Sequence, residues 1–316
     1  MPIDFGEGIV ARIPRLRISE EEGSYHIISR VIGKKGEDFL IDEEGKNYLL
    51  YLLKLCCSSY FVKLHSFCIL DNHFHLLISE NQAEAQSATV EQLMERYRIL
   101  KKVDYSHRLS DDVMAAQLQI DALRSRFSDI SRFVQELKQC FGRWYNKKHD
   151  RRGTLWTDRF KSILVSKGRA QVDVSAYIEL NPVRAGIVSR PEDYKWCSLG
   201  QASNAEGSDF ISFIHTVEHE NDLSFETYRS YVHDTGGIEQ YEKEPHPCDD
   251  MSETKENSNA KTACYAHRLG FLSAGIVLGT CDLVEKVQCI LKRKYIRGRV
   301  LLKEAELYGS RLLTPV

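Results

Sequence analysis

At 316 residues, with 42% hydrophobic and 28% charged side chains and a formal net charge of −2, the chain has an ordinary globular composition and room for one large or two modest cores. No apolar run approaches a bilayer span, and the opening MPIDFGEGIVARIPRLRISEEEG lacks a signal-peptide centre, so a cytoplasmic location without a membrane partner is expected. Nine scattered cysteines, with one vicinal pair (Cys56, Cys57) and no C-x-x-C, argue against a zinc ribbon and a disulfide framework.

SYHIISRVIG (24–33) is rich in β-branched and aromatic residues and predicts a strand. DEEGKNYLLYLLKLCCSSY (42–60) carries apolar residues at helical spacing. FVKLHSFCIL (61–70) predicts a second strand, and Asp71-Asn72 supply a tight turn into a third; strands joined this closely run antiparallel. From 88 to 147 the pattern is helical and charged, with Ser128 and Asp129 as caps for the last helix. RFKSILVS (159–166) predicts another strand. A helix then runs through AQVDVSAYIEL to Asn181-Pro182, where proline disfavours helical geometry in the residue before it.

This order predicts an α+β fold: a ferredoxin-like (RRM-like) antiparallel sheet with helices packed on one face, plus helical additions. The expected organisation is one domain over 1–200 with a helical insertion at about 82–127, followed by an extension over 201–236. Residues 237–262 read as an acidic disordered linker, with 7 acids against 2 bases between 237 and 260. A small basic helical tail is expected over 263–316.

The third strand, within LDNHFHLLIS, puts His73 and His75 on one face and Phe74 on the other, because strands alternate with period two. Two neutral imidazoles on one face can share a cation; two half-buried histidines satisfied by hydrogen bonds would give the same pattern. His26 and His65 lie on strands without a spaced partner and read as core or surface histidines. Tyr177 and Asn181 are four apart on a predicted helix and share a face. A tyrosine beside a metal-bound phosphodiester can attack phosphorus, although Tyr177 also suits a core and Asn181 a helix terminus. Tyr145, next to Trp144 on an amphipathic helix, reads as core.

Four stretches, YHIISRVIGKKG (25–36), DNHFHLL (71–77), RWYNKKHDRRGTLWTDRFKSILV (143–165) and YIELNPVRAGIV (177–188), followed by PEDYKWCS (191–198), share an order with a known group. In them the sequence resembles the HUH single-tyrosine transposases, specifically the REP-associated tyrosine transposases and their insertion-sequence relatives. The resemblance implies that His73 and His75 form the metal-binding pair, that Tyr177 is the nucleophile and that Asn181 is a third polar ligand. It implies a divalent cation, Mg²⁺ or Mn²⁺. It further implies nicking and rejoining of single-stranded or hairpin DNA through a 5′-phosphotyrosine. Asp71 stands where relatives usually have proline, which removes no expected ligand.

Between 131 and 170 the sequence has 11 Lys or Arg against 3 acids, a footprint suited to phosphates. Arg143, Lys147, Lys148, Arg151, Arg152, Arg159 and Lys161 are the candidates for contact with a nucleic-acid backbone, and a solvated helix face is the plainer alternative. The competing readings are a binding module that grips DNA hairpins without cutting them and an RNA-binding domain. Intact histidines and Tyr177 count against the first, and a missing glycine- and aromatic-rich strand signature against the second. Monomer and homodimer are both open.

Overall fold

The computed structural model describes residues 23–33, 41–102, 109–203, 224–236, 275–290, 296–302 and 307–312. β1 (Gly23–Arg30) leads to helix α1 (Glu43–Ser59), whose cap Asp42 accepts from the Gly45 amide at 2.7 Å. β2 (Val62–Ile69) and β3 (His73–Glu80) follow as a hairpin. Next come α2 (Gln82–Ser87), α3 (Val90–Lys101), α4 (Val113–Ser128) and α5 (Ile130–Lys148). Thr89 and Gln92 form a reciprocal capping box on α3, and Asp129 caps α5 by accepting from the Ser131 amide at 2.6 Å. The apolar stripe of α5 buries Phe133, Val134, Leu137, Phe141 and Tyr145, the spacing of one helical face.

β4 (Lys161–Ser166) precedes α6 (Arg169–Glu179), the single turn α7 (Asn181–Arg184), α8 (Ser198–Ser203) and α9 (Phe225–Gly236). Beyond lie β5 (Gly275–Gly279), α10 (Cys281–Ile290), β6 (Ile296–Leu302) and β7 (Leu307–Leu312). The first four strands are ordered β2-β3-β1-β4, and every pairing among them is antiparallel. β5 then joins β4 in parallel through Leu164↔Val277 and Val165↔Leu278, and β7 and β6 extend the sheet to seven strands. Gly279 permits this approach: a Cβ there would lie 2.6 Å from Ser166 Cβ, far inside contact distance.

Three expectations change. The sheet is mixed rather than wholly antiparallel, because of β5. The stretch read as a helical tail holds three strands and one helix among its described residues. Helices also lie on both faces of the sheet. On one face the Phe74 ring meets Trp156 at 5.6 Å, and Trp156 meets Phe141 of α5 at 5.9 Å. On the other, His75 meets Tyr177 of α6. The sequence carries the reason: Phe74, Leu76 and Ile78 alternate with His75, Leu77 and Ser79, and all six are buried, so both faces need cover. The expected acidic linker lies outside the described residues. No helix among the described residues is long and apolar enough to cross a membrane.

Candidate active site

Strand register builds the site. β1 and β3 align Ile28 with His75 and Arg30 with His73, so alternation puts His26, Ile28 and Arg30 on the histidine face. His26, wholly buried, reaches diagonally across the ladder: its Nε2 lies 2.9 Å from His75 Nδ1, and the two rings stack at 5.2 Å. The half-buried His73 has its Nδ1 2.5 Å from Asn72 Oδ1. That oxygen can only accept, so His73 carries its proton on Nδ1 and presents Nε2 as a lone-pair donor. The His73 and His75 ring centroids are 5.0 Å apart.

Burial lowers the pKa of His73 to about 4, helped by Arg30 and opposed by Asp71. Burial also holds His75 well below the ordinary imidazole range, aided by His26, His73, Arg184 and Arg30. Both rings are therefore neutral at neutral pH, the form that binds metal.

Tyr177 enters from α6, nearly buried at 8% exposure. Its ring stands edge-on to His26 and to His75, 5.8 Å from each. The Arg184 guanidinium lies over its face, 4.1 Å from the centroid, and donates to the Tyr177 carbonyl at 2.7 Å. Burial raises the phenol pKa, and Arg184 opposes the rise. Asn181 follows from a local defect in the helix. Pro182 has no N–H to offer the Ile178 carbonyl, and Asn181 Nδ2 donates there at 3.2 Å and to the Tyr177 carbonyl at 3.1 Å. The amide nitrogen thus faces its own helix, which leaves Oδ1 as the atom with ligand capacity.

These residues fit a divalent cation. Two neutral imidazoles are close enough to share one, and each is held at Nδ1 with no hydrogen bond from Nε2 to the described residues. Among the described residues, no group of three or more His, Cys, Asp or Glu is placed to hold a metal ion. A cation here would draw its remaining ligands from beyond the histidine pair, and an incomplete protein shell with positions open to water or substrate is what catalytic metal sites have.

The basic candidates divide into two groups. Lys161 is exposed and lies in a row with Ile28 and His75 across three strands, and exposed Arg159 precedes it. Arg143, Lys147 and Lys148 belong to α5, the helix that covers the opposite face. Lys148 pairs with Asp42 at 3.1 Å and Glu44 at 2.8 Å; Arg143 Nη2 lies 3.3 Å from Cys140 Sγ. Arg151 sits over the Tyr145 ring at 5.8 Å, and Arg152 is exposed. Tyr145 itself is core, its ring tilted against that of His149 at 4.2 Å. His65 is a core histidine bonded to Ser79 Oγ at 2.8 Å.

Among solved structures, that of a REP-associated tyrosine transposase bound to a REP hairpin resembles this chain distantly. The identity is 12% over 62% of this chain and 87% of that one, with a TM-score of 0.40. Likeness at this level decides nothing about chemistry. The sequence matches no family model, and no curated protein matches it.

Three residues of the site have no functional role in the sequence reading: His26 (read as a core or surface histidine and found buried against His75), Arg30 and Arg184. The first two had a faint signal, since YHIISR alternates so that His26 and Arg30 share a face. Arg184 had none beyond its place in NPVRAG.

Proposed function

We propose that this chain nicks and rejoins single-stranded or hairpin DNA, with Tyr177 as nucleophile and His73, His75 and Asn181 holding Mn²⁺ or Mg²⁺. One observation carries the reading: a nearly buried tyrosine stands 5.8 Å, ring to ring, from His75, a member of a histidine pair held at Nδ1 on one sheet face. The β2-β3-β1-β4 antiparallel order, which is that of a ferredoxin-like sheet, also supports it.

In this reading the Tyr177 oxygen attacks the scissile phosphorus. The bond to the 3′ oxygen breaks, that oxygen leaves with a proton as a 3′-hydroxyl, and the 5′ side stays on Tyr177 as a phosphotyrosine. The energy of the broken linkage is retained, so rejoining needs no nucleotide. A bound cation supplies charge neutralisation on the phosphate. Between the two candidates, imidazole nitrogens suit Mn²⁺ better than the harder Mg²⁺. Arg184 favours the phenolate by its charge over the ring, while Arg30 and Lys161 offer phosphate contacts on the site face.

The test is incubation of labelled single-stranded hairpin oligonucleotides with the protein and Mn²⁺. The expected product is a denaturant-stable adduct that maps to Tyr177. Tyr177→Phe should keep fold and DNA affinity and lose cleavage by roughly 10³-fold or more. Undiminished cleavage by that variant, or an adduct on Tyr145, refutes the assignment.

A further inference from the structure

We infer that His26 is a positioning residue: its Nε2 accepts from Nδ1–H of His75 and so keeps the Nε2 lone pair of His75 turned toward a cation. The inference rests on the proposed metal-binding role of the histidine pair. The distance is that of a hydrogen bond, 2.9 Å, and His26 is wholly buried, so no water competes for the contact. The register of β1 on β3 fixes the approach, because His26 pairs with Leu77, one diagonal step from His75 on the same face.

Tautomer choice is what the contact controls. With its proton on Nδ1, His75 has a lone pair on Nε2; with the proton on Nε2, it cannot ligate through that atom. His73 meets the same requirement through Asn72 Oδ1, 2.5 Å from its Nδ1. The two members of the pair are therefore held at the same ring atom by different partners, one in the turn and one on the neighbouring strand. Partners of this kind commonly change metal affinity 10–100-fold when removed. A buried imidazole would otherwise cost stability on a sheet face where its strand partners are the buried Leu77 and Ile163, and the bond to His75 offsets that cost.

The experiment compares wild type, His26→Gln, whose amide oxygen can accept, and His26→Phe, which keeps a ring but cannot. Mn²⁺ uptake is measured without DNA by electron paramagnetic resonance of the free ion, and ¹⁵N resonances of His75 are recorded with and without Mg²⁺. His26→Phe should weaken Mn²⁺ binding by roughly 10–100-fold, and His26→Gln should recover most of it. The wild-type ¹⁵N spectrum with Mg²⁺ should show His75 protonated at Nδ1. The inference is overturned if folded His26→Phe binds Mn²⁺ like wild type, or if folded His26→Gln fails as badly as His26→Phe. A wild-type His75 protonated at Nε2 in the presence of Mg²⁺ overturns it even where His26→Phe does not fold. Wild type that takes up no Mn²⁺ removes the metal-binding reading first and this inference with it; wild type that binds and cleaves beside unaffected variants removes the inference alone.

Discussion

His73 and His75 are one residue apart yet stand in different surroundings, which separates their expected contributions. His75 is 3% exposed and bonded to His26, whereas His73 is half-buried beside Arg30. His73→Ala and His75→Ala should each lower cleavage by 10²-fold or more, since each removes a proposed ligand. Stability should respond to only one of them. His75→Ala opens a buried void and strands a buried imidazole, a loss of about 2–4 kcal/mol, while His73→Ala should cost less than about 1 kcal/mol. Urea unfolding midpoints beside hairpin cleavage rates check this; equal destabilisation would mean the pair is structural. The pair, Tyr177 and Asn181 were legible as residues because short spacings on one strand or one helix fix their faces. His26 was not, because its contact with His75 spans 49 positions and depends on strand register that no local pattern encodes.

At the level of elements, the strands and helices through β4 follow from periodicity and caps, and the turn at Asp71-Asn72 is where the sequence puts it. Asp71 has a use that a proline could not supply: its carboxylate pairs with the buried Lys46 of α1 and ties the turn to that helix. The faces were harder to read, since a run of buried residues on β3 does not say how many layers cover it. That ambiguity bears on the path of DNA. The α5 cations cover the face away from Tyr177, and Lys148 is already engaged by two carboxylates. Arg30→Ala with Lys161→Ala should flatten the slope of log affinity against log salt by about 1.4, at about 0.7 for each phosphate contact on a single strand. Lys147→Ala with Lys148→Ala should flatten it less. A salt titration of hairpin binding measures both, on matched and scrambled oligonucleotides, and the pairs should lose affinity without changing sequence preference. A larger effect from the α5 pair would place the strand on the opposite face.

At the scale of the whole molecule, the last part of the chain is less separate than its sequence suggests. β5 is a five-residue run bounded by glycines, too short to distinguish strand from helix by pattern, and its partner β4 lies more than a hundred positions earlier. Helix α9 shows the same long-range dependence, because it holds the helix that carries Tyr177. Tyr231 donates to Asp173 of α6, which also pairs with Arg169 at 2.9 Å. One turn away, Arg229 Nε and His233 Nε2 each lie 2.7 Å from Oε1 of the buried Glu192. Burial pushes the Glu192 carboxyl up, but the Arg229 hydrogen bond and then His233 outweigh it and leave the pKa below its usual 4.5. The folded carboxylate thus binds a proton less readily than the unfolded one. Its contribution to stability is present above about pH 4.5 and is lost as pH falls through the folded value. Glu192→Gln keeps the shape and removes the charge, and at pH 7 it should destabilise by about 1–3 kcal/mol, the range for hydrogen bonds to charged groups. At pH 3, below the unfolded carboxylate's usual value, part of the charge contribution is lost and the difference should shrink. Urea midpoints of both proteins at pH 7, 5 and 3 test this. A gap that stays constant across the three pH values would show that the cluster acts by packing and that its charge does not hold α9 in place.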